Sequence, residues 1–252
     1  MIASCCLTWL IVLAANFVHD WNSWVPATTL NTFNEAVRDG FLRQPWNTIS
    51  SVPIFFVGVY LLCLPIKHGS EKTLNIVYNP VMRFLIAFSF MVSGVGSVAL
   101  HMSLTFVGQV ADVSGMYLLS VFLIEYAIIC HKNKSVSYFI VIYVVASIIL
   151  IIFLILLPDL RLYLFALLIA IGLFIEYRQN ARYGSLSPKY LFASASWLVF
   201  GFMFWTIDTT KLFFNPYSSL QGHALWHLCA AVACALLYTY YTSEKSLQSA
   251  PK

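Results

Sequence analysis

The chain has 252 residues, 60% of them apolar and only 10% charged, against about 25% charged residues in an ordinary soluble domain. That composition excludes a water-soluble globule and points to a polytopic, all-α membrane protein. The net charge of +4 without any basic run excludes a nucleic-acid binder.

Residues 1–18, MIASCCLTWLIVLAANFV, are apolar but lack a positive n-region and a small-x-small cleavage site. They read as an extra transmembrane helix or a signal peptide, with the retained helix preferred. Residues 19–47 form a non-cytoplasmic segment. Seven apolar cores follow at 48–66, 82–101, 109–130, 137–157, 162–176, 190–207 and 222–241, most near the roughly 20 residues that a spanning helix needs. The short fifth core has soft boundaries. No strand cadence or repeat is visible, and helices satisfy every backbone group within lipid. The expected fold is thus a seven-helix transmembrane bundle over 48–241, with a cytoplasmic tail at 242–252.

Positive charge sets the orientation. Lys67, Lys72, Arg83, Lys132, Lys134, Arg178, Arg182, Lys189, Lys245 and Lys252 fall on one side; Arg38, Arg43, Arg161 and Lys211 fall on the other. The first group marks the cytoplasm. Cys5, Cys6, Cys63, Cys130, Cys229 and Cys234 lie in apolar segments or at their ends without a C-x-x-C motif. They read as inert thiols, and no disulfide is placed.

The polar residues of the apolar cores converge. Ser97 and His101 are four apart at the end of the second helix, so they share a face. Asp112 opens the third, eleven residues after His101, or about 16 Å along an unbroken helix. A turn in T-F-V-G, to which Gly108 is suited, returns Asp112 to the depth of His101. His223 and His227 begin the seventh helix from the same side. Ionisable groups inside a membrane are costly and face partners or cavities. Two histidines at i and i+4 plus a third from another helix give three zinc ligands with a fourth position open, the pattern of a catalytic zinc. Zinc lowers the pKa of its water to about 7. Asp112 is then the proton shuttle and Ser97 a hydrogen-bond donor to an oxyanion. Asp208, at the end of the sixth helix, either orients a histidine as an outer carboxylate or caps and faces solvent. His19, His68 and His131 read as interfacial, and the aromatics as packing or interface anchors.

V-G-S-V-A-L-H-M-S-L-T-F-V-G-Q-V-A-D, G-H-A-L-W-H and N-E-A-V-R-D-G-F-L-R-Q-P-W-N-T-I-S-S together resemble the alkaline ceramidases over roughly residues 34–240. These belong to a seven-helix superfamily of membrane hydrolases that also holds adiponectin and progestin receptors and enzymes that remodel glycolipid anchors. The last stretch favours the ceramidase branch. The resemblance implies hydrolysis of ceramide to sphingoid base and fatty acid, with zinc on His101, His223 and His227. It also implies a calcium site before the first helix. Only Glu35 lines up there, with Asn34 and Asp39 as further oxygens, so zinc is the cofactor counted on and calcium is not. The expected partners are a ceramide-like lipid and the membrane. An ester-cleaving lipid hydrolase of the same superfamily, a seven-helix receptor and a metal transporter are the competing readings. Short loops speak against the receptor. Ionisable residues clustered at one face, away from the midplane, speak against the transporter.

Overall fold

A computed structural model describes residues 21–29, 32–66, 74–132, 134–184 and 186–243. Residues 1–18, His19, His68 and nearly all of the tail fall outside these. Among the described residues, seven helices are long and apolar enough to cross a membrane. They are α1 (Pro45–Cys63), α2 (Pro80–Ser103), α3 (Phe106–Ile129), α4 (Val136–Leu156), α5 (Arg161–Tyr183), α6 (Pro188–Thr209) and α7 (Gly222–Thr242).

Local sequence sets the ends. Pro45, Pro80 and Pro188 occupy first-turn positions, where a missing N–H costs nothing. Asn79, Thr105 and Ser135 cap α2, α3 and α4 by accepting from backbone amides with their side chains. The fifth helix runs well past the expected 176. Its polar continuation, Glu176 to Tyr183, stays helical until Gly184, whose left-handed backbone returns its N–H to Asn180 O.

Helix α3 lies centrally, packed against α2, α4 and α5, while α7 packs against α1 and α6. The α2–α3 pair is drawn very close. A Cβ on Gly115 would lie 2.3 Å from Ser93 Cα, and one on Gly96 2.4 Å from the Ala111 carbonyl. The reversal between these helices is not at Gly108, as expected from sequence. It falls at Leu104, in the left-handed region with φ 53°, and at the Thr105 cap. Gly108 is helical, and its use is contact: a Cβ there would meet Leu100 Cα at 2.8 Å. Leu104 is held in this conformation by burial with Ala27, Phe33 and Leu100.

The segment before α1 folds over this end of the bundle. Ala27 N donates to Leu104 O, Phe106 N to Val25 O, Arg43 N to Met102 O and Gln44 N to His101 O. Carbonyls left open by the last turn of α2 are thereby satisfied. The opposite end is closed by aromatic packing, in which Phe122, Tyr126, Phe139, Tyr143, Tyr240 and Tyr241 share one core. There the Glu176 carboxylate accepts from the hydroxyls of Tyr240 and Tyr241.

Candidate metal centre

His101, on the last turn of α2, and His223 and His227, on the first turns of α7, are buried together. One ligand nitrogen from each lies within 4.8 Å of the others. Among the described residues this is the one group of three or more His, Cys, Asp or Glu side chains able to share an ion. The centre sits at the bundle end covered by the segment before α1.

Hydrogen bonds assign the tautomers. Gln44 Nε2 donates to Glu35 O at 3.1 Å, so Gln44 Oε1 is the atom facing His101 Nδ1 at 2.8 Å. An amide oxygen only accepts, so Nδ1 of His101 carries the proton and Nε2 the lone pair. His227 Nδ1 lies 2.9 Å from Ser50 Oγ and 3.1 Å from Ser51 Oγ. Both hydroxyls donate to Asn47 O and so accept from His227, which leaves its Nε2 free. His101 Nε2 and His223 Nε2 are 3.1 Å apart. Nitrogens bound to one tetrahedral zinc at about 2.0–2.1 Å are separated by about 3.3 Å. Three neutral imidazoles, two with proton positions fixed by outer partners, are a donor set that fits zinc.

Ser97 Oγ lies 3.2 Å from His227 Nε2 and 2.9 Å from Ser51 Oγ, and it hydrogen-bonds the Asp112 carboxylate. Asp112 borders a cavity together with Ser97, His223 and His227. Arg161 borders it too and attracts Asp112 electrostatically. Its side chain is buried and donates to Pro158 O, so it is a wall residue of the cavity. At the covered end the cavity is lined by Thr29, Phe33 and Gln109; deeper in, Met116, Leu119, Leu162, Phe165, Leu198 and Cys234 make it apolar. Phe33 packs on the rings of His101 and His223, with centroids 4.7 and 4.5 Å away, and Trp205 lies 5.4 Å from His223. These aromatic faces keep water from the imidazoles on two sides.

The two outlying candidates prove to hold backbone. Asp208 is fully buried. Its Oδ2 accepts from Asn34 N at 3.0 Å, and the carboxylate lies against the backbone N–H groups of Gly222 and His223. It stabilises the positive end of α7 and fixes His223 through its main chain rather than its ring. The Glu35 oxygens accept from Trp46 N and Asn47 N, both at 2.9 Å, closing the start of α1. Burial raises the Glu35 pKa above the ordinary carboxylate value, opposed by those two amide bonds and by Arg38. Asn34 donates to Phe214 O and Gln221 Oε1, and Asp39 is exposed. Described cysteines, Cys63, Cys130, Cys229 and Cys234, are free thiols.

Sequence reasoning missed Gln44, Ser50, Ser51, Phe33, Gln109 and Arg161 as parts of the site. Four of these lie in two of the three motifs that were singled out, but their partners are distant in sequence. A family model described as Ceramidase matches residues 44–252. No curated protein is similar enough to match.

Proposed function

Since the chain belongs to the ceramidase family, hydrolases acting on the amide bond of ceramide, we propose that it is a zinc-dependent intramembrane amidase working at the three-histidine centre. The single observation behind this reading is the convergence of His101, His223 and His227 on one point, at the polar end of a cavity whose remainder is apolar. The polarity of this cavity matches a ceramide-type lipid, with its amide placed at the imidazoles and its chains toward Leu119, Phe165 and Leu198.

In this reading His101, His223 and His227 hold the zinc ion. When bound, zinc supplies Lewis acidity toward a carbonyl oxygen and toward water. Everything else is the work of the chain. Gln44, Ser50 and Ser51 keep two imidazoles in the tautomer that presents Nε2. Asp112 takes a proton from water at its carboxylate and returns it to the departing amine nitrogen. Once Asp112 has taken its proton it can donate to Ser97, whose own hydroxyl proton is then available to the oxygen on which charge develops. Arg161 steadies the Asp112 carboxylate, and Phe33 and Trp205 exclude bulk water. The excess of Lys and Arg at the opposite end of the bundle supports a centre near the non-cytoplasmic face and a cytoplasmic C-terminus.

The test is zinc content together with fatty-acid release by the purified full chain, offered ceramide and, separately, a phospholipid. About one zinc per chain and release from ceramide alone are expected. Release from the phospholipid alone would move the protein to ester chemistry, and lipid cleavage without bound metal would remove the histidines from the reaction.

A further inference from the structure

Gln109 lies on α3, three residues before Asp112, and is fully buried. Its Oε1 accepts from Thr28 Oγ1 at 3.0 Å, Thr29 N at 3.3 Å and Thr29 Oγ1 at 3.3 Å. A backbone N–H can only donate, so the amide cannot be flipped and its NH₂ group faces away from the threonines. That Nε2 is buried without a hydrogen-bond partner among the described residues, and the side chain borders the same cavity as Asp112, His223 and His227. A buried donor left unpaired carries the full cost of its lost hydration. Three hydrogen bonds therefore hold one end of this amide fixed while the other end has nothing to bind.

Three residues of helix place Gln109 about 4.5 Å along the helix axis from Asp112, toward the end where Thr29 and Phe33 close the cavity. A lipid amide lying with its chains in the apolar part and its reacting carbon between Asp112 and the imidazoles has its remaining polar head at this level. We infer that Gln109, held by Thr28 and Thr29, forms a subsite for a hydrogen-bond acceptor on the substrate's head, specifically a hydroxyl borne by the amine half of the lipid. This rests on the amidase reading and extends it, since it makes the enzyme select N-acylated amino alcohols over plain N-alkyl amides. It also gives the segment before α1 a part in specificity, because Thr28 and Thr29 aim the amide.

Binding, measured apart from turnover, tests it. Two urea analogues that resist cleavage share the same chains; one carries the hydroxyls of an amino-diol lipid and the other carries none. Affinities are taken from thermal stabilisation of the zinc-loaded full chain in detergent. The wild type is expected to prefer the hydroxylated analogue about 10-fold, the scale of one neutral hydrogen bond. Gln109→Leu should erase the preference by weakening the hydroxylated analogue alone. Gln109→Met, which keeps the length and volume of the side chain and removes the donor, should erase it too, and it decides the matter if the leucine variant fails to fold. A wild type without preference, variants that keep it, or equal weakening of both analogues would each overturn the subsite. Failure of the wild type to release fatty acid from ceramide would instead remove the amidase reading, and the two results are read independently.

Discussion

Helices α4 and α7 are both 21 residues long, yet they are built for opposite surroundings. The mean hydropathy of α4 is 3.4 with 22% of its span buried, whereas that of α7 is 1.4 with 67% buried. Val141, Val144, Val145, Ile148, Ile152 and Ile155 of α4 face outward; His223, His227, Cys234 and Tyr240 of α7 face inward. In water the most apolar helix would be the most buried. In lipid there is no drive to hide apolar surface, and the helices that need protein neighbours are those with polar groups to satisfy. Hydropathy alone does not sort the helices, since α6, at 1.5, is only 17% buried; the polar side chains held inside the bundle are where the chemistry is to be sought.

The largest effect is expected where α7 carries a ligand. His223→Ala should abolish stoichiometric zinc and cut fatty-acid release at least about 1,000-fold, since both roles of the metal go with it. Metal analysis of the inserted variant checks this, and full zinc with normal turnover would break the link between burial and chemistry. Asp112→Asn, on α3, should keep its zinc and lose about 100- to 10,000-fold in turnover. Near-normal rates there would take the proton transfer away from Asp112. Gln44→Leu should weaken zinc about 10- to 100-fold in a chelator competition, as expected when a partner orienting a ligand is lost. Unchanged affinity would mean that the bond from His101 Nδ1 does nothing for the centre.

Gln44 also marks the limit of what the sequence disclosed. The seven spans were legible because length and apolarity alone define them, and the three histidines because helical spacing and matching depth bring them together. Gln44, Ser50 and Ser51 stood in a stretch already singled out, Q-P-W-N-T-I-S-S. Nothing local ties Gln44 to an imidazole 57 positions later, or Ser50 to one 177 positions later. Periodicity reports which face of a helix is buried, not what it meets. Gly108 failed for a related reason. Glycine permits both tight turns and close helix contact, and the choice was made by Leu104, whose strained backbone is held by tertiary packing. Asp208 and Glu35 were read as an outer carboxylate and a calcium oxygen, whereas the amides they accept from are set by the path of the segment before α1.

The smallest effect comes from a pair of glycines that carry the α4–α7 contrast into packing. Gly115 meets α2 backbone: a Cβ would lie 2.3 Å from both Cα and N of Ser93. Neither helix can yield without moving the pair that positions His101, Ser97 and Asp112. Gly115→Ala should therefore cost about 1–3 kcal/mol, the usual penalty of overpacking, and lower the melting temperature and the turnover together. Gly172, on the lipid-facing α5, meets side chains and no backbone: a Cβ would lie 2.7 Å from Leu123 Cδ2 and 3.3 Å from Ile124 Cγ1. A leucine can change rotamer, and alanine gains roughly 0.5–1 kcal/mol over glycine inside a helix. Gly172→Ala should leave the melting temperature nearly unchanged and turnover intact. Equal losses from both substitutions would mean that the outer helices are as tightly specified as the inner ones, so that the division between lipid wall and reactive core is one of exposure alone and not of rigidity.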